Sequence, residues 1–457
     1  MIRVPTVKWI YDYIVDYSSL TIYERKGRDF MSIEMIAILV LLAIFLIGAI
    51  LPINIGFLGL AAAFIIGVPV SGLSLDDVYS AFPVELFIII VGITYMFTII
   101  QKSGVIDLIA DFGLKLVNGK LVLIPWLMFA LSSVLASVGT YGIAVVTLLG
   151  PIALKIAHKC KISPLMISIM IITGMQAGSF SPLNIFGVIV NGGMQMRGLE
   201  HAPALLLLNC FIYFGIVALI AFLLLGGLRL MKRDSTGIPY VPSLGVPVDH
   251  VLPERKEGLN LYKGICLAAI AVLGILSIGF HMNLGFAAIL VGLVLALIAP
   301  SKQDGVLKIM PWGVIFLVTG IVTFVGVLEK IGVMKFVTDM IADMGNPVLA
   351  TLTVSYVGGF VSAFASTTGF LASIIPIAEP ILVNSDLSSV NIMSAISASA
   401  SIVDLSPLSS AGAILLANVQ GIKERVFFRQ LLMTTGVFVA FGPGLAWLLF
   451  VVIGLPW

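Results

Sequence analysis

Short polar sequences interrupt long apolar runs at four places in the 457-residue chain, and at these places the residue types could do chemistry. Two are the Gly/Thr-rich turns at 137–142 and 364–369, and two are the Ser/Pro-containing interruptions at 178–184 and 404–409. A helix that breaks inside an apolar segment exposes N–H groups and an N-terminus carrying about half a positive charge. Four converging breaks could therefore bind an anion without a lysine or an arginine.

The candidate anion ligands are the hydroxyl and amide side chains of the breaks. They are Ser137, Thr140, Tyr141, Ser181, Asn184, Ser366, Thr367, Thr368, Ser406 and Ser409. Carbonyl groups freed at the same breaks could ligate Na⁺, and the candidates for ion coupling are Gly139, Ser179, Asp404 and Ser410. Small polar residues are also common wherever membrane helices pack closely, so the prediction depends on the symmetric placement of the set.

Asp404 is the one acidic residue beside a break, between the apolar segment 392–403 and the Ser406-Pro407 sequence. An ionisable group at membrane depth is a functional candidate that could accept a proton or help to bind a cation. Alternatively, its carboxylate could cap the half-helix that follows by accepting backbone N–H bonds. Glu379 is expected at the surface, where water would solvate it.

The composition places these breaks inside a membrane. Hydrophobic residues make up 60% of the chain and charged residues 11%, against about 25% charged in soluble domains. Apolar runs of the length that a spanning helix needs recur along the chain. Because Lys+Arg 25 nearly balances Asp+Glu 23, nucleic acid is not an expected partner. The four scattered histidines and three cysteines without CxxC spacing predict neither a metal site nor a disulfide framework, and no cofactor is expected beyond Na⁺ as a possible coupling ion.

The sequence contains an internal repeat. Asn54 pairs with Asn283, Gly104 with Gly332, Pro151 with Pro376 and Pro182 with Pro407, so the separation drifts only from 229 to 225 residues. We therefore predict an all-α polytopic membrane protein of two inverted repeats. Each repeat would have about five transmembrane helices and a re-entrant helical hairpin, because the odd number of crossings inverts the second copy.

The predicted organisation has four parts. Residues 1–30 are an N-terminal extension, which either results from a start codon assigned too far upstream or forms an interfacial helix. Residues 31–228 form the first repeat, 229–261 a linker, and 262–457 the second repeat. Most Lys and Arg residues fall on the linker side, which by the positive-inside rule makes the linker cytoplasmic and places both termini outside. The expected location is the bacterial-type inner membrane, with the lipid bilayer as a partner.

Inverted repeats with interrupted helices are typical of secondary carriers, whose site lies near the membrane midplane between the repeats. A membrane enzyme would need a cluster of catalytic side chains, and none has a plausible spacing here. A passive channel would be expected to have charged rings or a carbonyl filter. Within transporters, the open alternatives are a small-anion carrier, a cation/proton antiporter and a carrier of another anion or oxyanion.

Three sequence stretches resemble the MatC-type dicarboxylate (malonate) carriers of the ion-transporter superfamily, which includes the divalent anion–sodium symporters. They are Pro52-Ile-Asn-Ile-Gly-Phe57, Ile124-Pro-Trp-Leu-Met-Phe129 and Gln176-Ala-Gly-Ser-Phe-Ser-Pro-Leu-Asn-Ile-Phe-Gly187. The resemblance implies a scaffold, a moving transport domain with two re-entrant hairpins, elevator-type alternating access and a homodimer. It also implies symport of malonate or a C4-dicarboxylate with Na⁺ or H⁺. In the symporter branch the hairpin tips carry Ser-Asn-Thr, whereas the matching positions here are Gly139-Thr140-Tyr141 and Ser366-Thr367-Thr368.

Overall fold

The structure is a computed structural model that describes residues 32–51, 53–105, 121–235, 260–280, 282–333, 336, 346–364, 366–383 and 387–455. Every regular element in these ranges is a helix, which confirms the all-α fold. The predicted N-terminal extension and most of the predicted linker lie outside the described residues.

The helices of the first half are α1 (Ile33–Ile50), α2 (Ile55–Ile65), α3 (Leu75–Ser80), α4 (Val84–Lys102), α5 (Leu123–Ser137), α6 (Gly142–Cys160), α7 (Pro164–Ser179), α8 (Ile185–Met196), α9 (Pro203–Leu224) and α10 (Gly227–Ser235). Those of the second half are α11 (Leu261–Gly274), α12 (Leu284–Ile298), α13 (Val306–Ile309), α14 (Trp312–Lys330), α15 (Pro347–Phe364), α16 (Thr367–Val383), α17 (Ser389–Ser401), α18 (Ser410–Asn418) and α19 (Glu424–Trp447). The mates by repeat are α1 with α11, α2 with α12, α4 with α14, and α5–α9 with α15–α19.

Six of the described helical stretches are long and apolar enough to cross a membrane. They are Val84–Lys102, Gly142–Cys160, Pro203–Leu224, Trp312–Lys330, Ser389–Asn418 and Glu424–Val452. The remaining apolar helices are shorter, between 10 and 17 residues. The short helices include α5, α7 and α8, which adjoin the predicted turn and the predicted interruption of the first half. The chain is therefore a multi-pass membrane protein.

Matched asparagines begin α2 and α12. The Asn54 side chain accepts a hydrogen bond from the Gly56 N–H at 2.8 Å, and Asn283 accepts one from the Gly285 N–H at 3.0 Å. Such caps satisfy N–H groups that the first helical turn leaves unpaired. Asn54 also donates to the Gly313 carbonyl oxygen at 2.7 Å, beside the start of α14. The repeated Asn thus positions each helix against the other half.

The helices α1–α4 and α11–α14 form one layer, which we call the scaffold. In it α2 packs against α14, and its repeat mate α12 packs against α4. Backbones meet at the first crossing, because a Cβ added to Gly56 would lie 2.0 Å from the Phe316 carbonyl oxygen. A Cβ on Gly320 would likewise lie 2.0 Å from the Gly56 carbonyl oxygen. Small residues permit this close packing of membrane helices.

Contacts at the ends of α4 and α14 show that these mates run in opposite directions. The ammonium of Lys330, at the end of α14, donates to the carbonyl oxygen of Asp77 at 2.8 Å and to the Ser80 hydroxyl at 2.6 Å, just before α4 begins. Lys102, at the end of α4, donates to the carbonyl oxygen of Asp304, shortly before α14 begins. The pKa of Asp77 is lowered chiefly by hydrogen bonds from Ser74, with a smaller contribution from Lys330.

The helices α5–α9 and α15–α19 form the second layer, which we call the core unit. Its centre is made of α7 and α17, whose residues from Met166 to Ser179 and from Ile392 to Ser401 are all buried. The helix pairs α5–α6 and α15–α16 pack against these central helices, as do α9 and α19. Both interrupted helices are therefore buried inside the core unit, and α7 contacts the one-turn helix Ile402–Leu405 that follows α17.

Candidate functional site

The central helices of the core unit break at matched positions. In the first half α7 ends at Ser179 and α8 begins at Ile185, while in the second half α17 ends at Ser401 and α18 begins at Ser410. A proline follows Ser181 in one break and Ser406 in the other. Proline lacks an N–H and disfavours helical backbone in the residue before it. Ser406 is accordingly extended, with φ −51° and ψ 132°.

Glycines make these breaks tight. A Cβ added to Gly187 would lie 2.0 Å from the Ser181 carbonyl oxygen, and one added to Gly412 would lie 2.0 Å from the Ser406 carbonyl oxygen. The two glycines are repeat mates, separated by the same 225 residues as Pro182 and Pro407. The first turns of α8 and α18 therefore pack directly against the loops that precede them.

The turn between α5 and α6 and the turn between α15 and α16 are the hairpin tips, and each is hydrogen-bonded to the break of its own half. The Asn184 amide nitrogen donates to the carbonyl oxygens of Ala136 at 2.8 Å and Thr140 at 3.0 Å. The Ser181 hydroxyl donates to the carbonyl oxygen of Ser137 at 2.7 Å. In the second half the Thr367 hydroxyl donates to a carboxylate oxygen of Asp404 at 2.7 Å. Tip and break thus form one hydrogen-bonded unit in each half.

A cavity of about 230 Å³ lies where the tips and breaks meet, and we call it the broken-helix cavity. Nine of the predicted site residues line it: Tyr141, Ser179, Asn184, Ser366, Thr367, Thr368, Asp404, Ser409 and Ser410. Its other lining residues are Gly142, Ile143, Met175, Gln176, Ile185, Phe186, Leu408 and Ala411. The structure therefore brings together predicted site residues that are more than two hundred positions apart in the sequence.

Five predicted site residues lie outside the cavity lining: Ser137, Gly139, Thr140, Ser181 and Ser406. Thr140 is 3% exposed, and its hydroxyl has no hydrogen-bond partner. Gly139 has a φ of +94° and lies against the Phe97 ring, so its backbone shapes the turn. These five residues belong to the same turns and breaks as the lining residues.

Four helices begin at the broken-helix cavity. Their first residues, Gly142 of α6, Ile185 of α8, Thr367 of α16 and Ser410 of α18, all line it. Each helix N-terminus is equivalent to about half a positive charge. No Lys, Arg or His is among the lining residues, so these dipoles are the positive electrostatic feature of the site.

Asp404 does not cap the helix that follows it, so the capping interpretation of this residue is wrong. Ser409 has that role, because its hydroxyl oxygen accepts a hydrogen bond from the Gly412 N–H at 3.0 Å. The Asp404 carboxylate instead accepts from Thr367 and from the amide nitrogen of Gln176, which sequence reasoning missed. Gln176 is fully buried. An amide side chain in an apolar run, two residues before the break at 178–184, was the signal that could have identified it.

Glu379 was expected to be solvated by water, but in the structure it forms an ion pair. Its carboxylate is 2.5 Å from the Arg197 guanidinium, which also lies 2.6 Å from the carboxylate of Glu329 at the end of α14. We call these three residues the Arg197 cluster. Arg197 follows α8 of the core unit and Glu329 belongs to the scaffold, so the cluster joins the two layers. In the described part of the chain, no three metal-ligating side chains gather.

Comparison with known proteins identifies the kind of molecule that has this architecture. Residues 31–179 match the family described as the dicarboxylate carrier protein MatC N-terminus, and residues 260–420 match the Na⁺/H⁺ antiporter family. Neither family implies a cofactor. No curated protein sequence matches the chain.

Among solved structures, the chain is similar to the YdaH transporter of Alcanivorax borkumensis, whose structure is described as having an unusual topology. The similarity covers 84% of this chain and 89% of that one, with a TM-score of 0.57 and 12% sequence identity. At this identity the match supports the fold. The matched families are transporters and not enzymes. The chain is therefore a membrane transporter that is similar to the MatC-type dicarboxylate carriers over residues 31–179 and to the Na⁺/H⁺ antiporters over residues 260–420.

Proposed function

We propose that the protein carries a small dicarboxylate, malonate or a C4-dicarboxylate, across the inner membrane by alternating access. The observation that carries this proposal is that four helix N-termini meet at one cavity without a basic side chain. Backbone N–H groups and the helix dipole favour anions at such termini. The anion would be bound by these groups together with the hydroxyl groups of Ser366, Thr368 and Ser410.

The symmetry of the cavity favours two carboxylates over one. The first half supplies the N-termini of α6 and α8, and the second half supplies those of α16 and α18. Each half therefore offers one pair of helix starts, and a solute with a carboxylate at each end fits both pairs. A volume of about 230 Å³ is below the range of about 300–1,000 Å³ typical of drug-sized ligands, which favours a small solute.

Asp404 favours coupling to a cation or a proton. Its carboxylate adds a negative charge to a cavity that would receive a dianion, and like charges at short distance in a poorly solvated site repel strongly. Binding of Na⁺ or H⁺ with the substrate would offset this repulsion. The proposed carrier is therefore a symporter.

An asymmetry between the repeats supports alternating access. On the side of the Arg197 cluster, α8 packs against α4 and α16 packs against α14. The repeat mates of these pairs, α18 with α14 and α6 with α4, make no comparable contact in the described residues. If the two repeats exchanged their conformations, the contacts of α18 with α14 and of α6 with α4 would form, and those of α8 with α4 and of α16 with α14 would break. We infer that the core unit moves against the scaffold as an elevator, with the helix pairs α5–α6 and α15–α16 as re-entrant hairpins.

The membrane orientation is also a proposal. The positive-inside rule assigns the side of the Arg197 cluster to the exterior. The predicted topology puts Lys155, Lys159 and Lys423 on the opposite side, which is that of the linker. The linker would then be cytoplasmic and both termini outside. We also retain the homodimer as a proposal, which light scattering of the detergent-purified protein tests.

A cation/proton antiporter is the second candidate, and a specific observation favours it. Residues 260–420, which include Asp404, match the Na⁺/H⁺ antiporter family. An antiporter would move Na⁺ against H⁺ without any carboxylate, whereas the proposed carrier moves neither ion productively in the absence of its anion.

Uptake into proteoliposomes distinguishes the two candidates. Labelled malonate, succinate and citrate are offered separately, with Na⁺ and pH gradients varied independently. We expect saturable uptake of malonate or succinate, which an unlabelled dicarboxylate inhibits and a matched monocarboxylate such as propionate does not. Na⁺-driven proton movement without any carboxylate uptake would overturn the proposal in favour of antiport.

A further inference from the structure

The Asp404 carboxylate is held by two neutral donors from different halves of the chain. The Thr367 hydroxyl donates to one carboxylate oxygen at 2.7 Å, and the Gln176 amide nitrogen donates to the other. The same amide nitrogen donates to the carbonyl oxygen of Ser401 at 3.0 Å. Thr367 and Asp404 belong to the second half and Gln176 to the first, so the two bonds of Gln176 bridge the repeats.

The acid is present in only one of the two repeats. The repeat mate of Asp404 is Ser179, whose hydroxyl donates to the Met175 carbonyl oxygen at 2.8 Å within its own helix. The mate of Gln176 is Ser401, with the same separation of 225 residues. The cavity thus contains one carboxylate, from the second half, and an amide side chain of the first half reaches it.

The Gln176 amide can serve both protonation states of Asp404. Its carbonyl oxygen Oε1 is buried and has no hydrogen-bond partner. Rotation of the amide by half a turn would direct this oxygen at the carboxyl group, where it could accept the O–H of a protonated acid. A hydroxyl such as that of Thr367 also donates or accepts. A polar group left unpaired in a buried site is costly, and this arrangement gives the Asp404 carboxyl group a hydrogen-bond partner whether it is charged or neutral.

The same geometry disfavours a metal cation at this carboxylate. Hard cations are held by several oxygen ligands. Here the two side chains that approach the carboxylate direct hydrogen atoms toward it, and not the oxygen ligands that a cation needs. A proton needs only one carboxylate oxygen.

We propose that Asp404, Gln176 and Thr367 form a proton-binding site, and that the ion coupled to transport is a proton taken up by the Asp404 carboxylate. The inference rests on the proposed function and names its coupling ion. When the dianion enters the broken-helix cavity, one proton forms an O–H bond with Asp404. On the opposite side of the membrane that bond breaks, and proton and dicarboxylate leave together.

Few other ionisable groups face Asp404 in the described residues. The one-turn helix Ile402–Leu405, which contains it, packs against α7, α15, α17, α18 and α19. Of these helices, α7, α17 and α18 contain no ionisable side chain, and the Tyr356 hydroxyl of α15 donates instead to the Ala440 carbonyl oxygen. The charged residues of α19 are exposed in its first two turns. Across the cavity the one other ionisable side chain is Tyr141.

Dicarboxylate uptake and internal pH, followed together in proteoliposomes with a trapped fluorescent pH indicator, test the proposal. In the wild type we expect an acid-outside gradient of one pH unit to stimulate uptake up to about tenfold. Each dicarboxylate taken up should carry a proton in, and replacing Na⁺ by choline should change neither. In Asp404→Asn the stimulation should fall to about onefold, whereas Asp304→Asn, at an exposed acid, should match the wild type. A requirement for Na⁺, or proton uptake that persists in Asp404→Asn, would overturn the proposal.

Gln176→Leu tests the role of the amide as a positioning residue. Removing a donor to the carboxylate favours its protonated form, so the pH of half-maximal uptake should move upward by about one unit. Gln195→Leu, at an exposed glutamine in the last turn of α8, is the matched control and should not shift it. A Gln176→Leu profile that falls in amplitude without moving along the pH axis would contradict the assignment.

An infrared measurement tests proton binding independently of transport. The difference spectrum of the detergent-purified protein between acidic and alkaline pH should contain a protonated carboxyl band that is lost in Asp404→Asn and kept in Asp304→Asn. If the wild type transports none of the dicarboxylates offered, the proposed function fails. The infrared band still shows whether Asp404 binds a proton. An unchanged band in Asp404→Asn would overturn the proton site, even if dicarboxylate uptake is found.

Discussion

At the scale of single residues, the sequence predicted which types of side chain form the site better than it predicted what each one does. Asn184 and Thr367 both line the broken-helix cavity as expected. Their hydrogen-bonding groups, however, are already engaged within the protein, Asn184 with backbone carbonyls and Thr367 with Asp404. Residue type and spacing indicate proximity to a site, whereas the partner of each group depends on side-chain orientation, which a pattern does not contain.

Thr367→Ala should reduce dicarboxylate uptake by about tenfold. The change removes a hydroxyl that donates to the half-buried Asp404 carboxylate, and an unsatisfied buried group costs about 1–3 kcal/mol. Thr367→Ser, which keeps the hydroxyl, should restore most of the uptake. Thr147→Ala is the control, since that exposed hydroxyl bonds only to the Ile143 carbonyl oxygen of its own helix. Equal uptake by Thr367→Ala and the wild type would mean that the cavity is not the transport site.

Asn184→Ala should lower stability as well as uptake, without preventing membrane insertion. Its amide nitrogen satisfies two carbonyl oxygens of the first hairpin tip, and losing both bonds should cost about 2–3 kcal/mol. The measurement is the thermal unfolding midpoint in detergent. Asn418→Ala, which loses one bond to the Ile414 carbonyl oxygen within its own helix, is the comparison and should cause a smaller decrease. A midpoint for Asn184→Ala no lower than that of Asn418→Ala would contradict the bridging role.

At the scale of elements, the sequence predicted the four breaks and their pairing, because proline and glycine disrupt helices by local sterics. It did not predict that Gly187 and Gly412 would lie against carbonyl oxygens of their own breaks. That contact depends on how each chain folds back after its proline. It also did not predict the Arg197 cluster, whose three members come from elements with no sequence link.

Gly187→Ala and Gly412→Ala should each disrupt the protein, since a methyl group at either position would lie 2.0 Å from a backbone oxygen. We expect a strong loss of uptake and a broadened thermal transition. Gly215→Ala, in α9, has no atom within 4 Å of the added Cβ and is the matched control. An exposed helical Gly→Ala change is expected to be neutral or to stabilise by up to about 1 kcal/mol. Tolerance of alanine at both break positions would show that the breaks are looser than described.

Arg197→Gln should favour the state in which the side facing the Arg197 cluster is open. Exposed ion pairs are worth about 0–1 kcal/mol each, so two of them predict a shift of several-fold. The measurement is the rate at which an impermeant maleimide labels Ala372→Cys, a buried residue beside this cluster, in a cysteine-free background. Lys330→Gln is the control, because its pairing with Asp77 joins two scaffold helices. Equal labelling rates in the two variants would exclude a gating role for Arg197.

At the scale of the whole molecule, the repeat and the all-helical membrane architecture followed from hydropathy and from landmarks that stay in register over more than a hundred residues. Inversion is also visible in the contacts of Lys102 and Lys330 with residues at the opposite ends of the mate helices. The asymmetry between the repeats could not be predicted, because matched landmarks in the two repeats do not show which of two equivalent packings is occupied. That choice depends on small differences in packing and charge between the layers.

The measurement that tests the account most directly is a cryo-electron microscopy map of the protein in lipid nanodiscs with saturating malonate. We expect density for a dianion in the broken-helix cavity, with its carboxylates at the first turns of α6 and α8 on one side and of α16 and α18 on the other. A map with these helix starts apart or facing lipid, or with malonate bound elsewhere on basic side chains, would contradict the central claim.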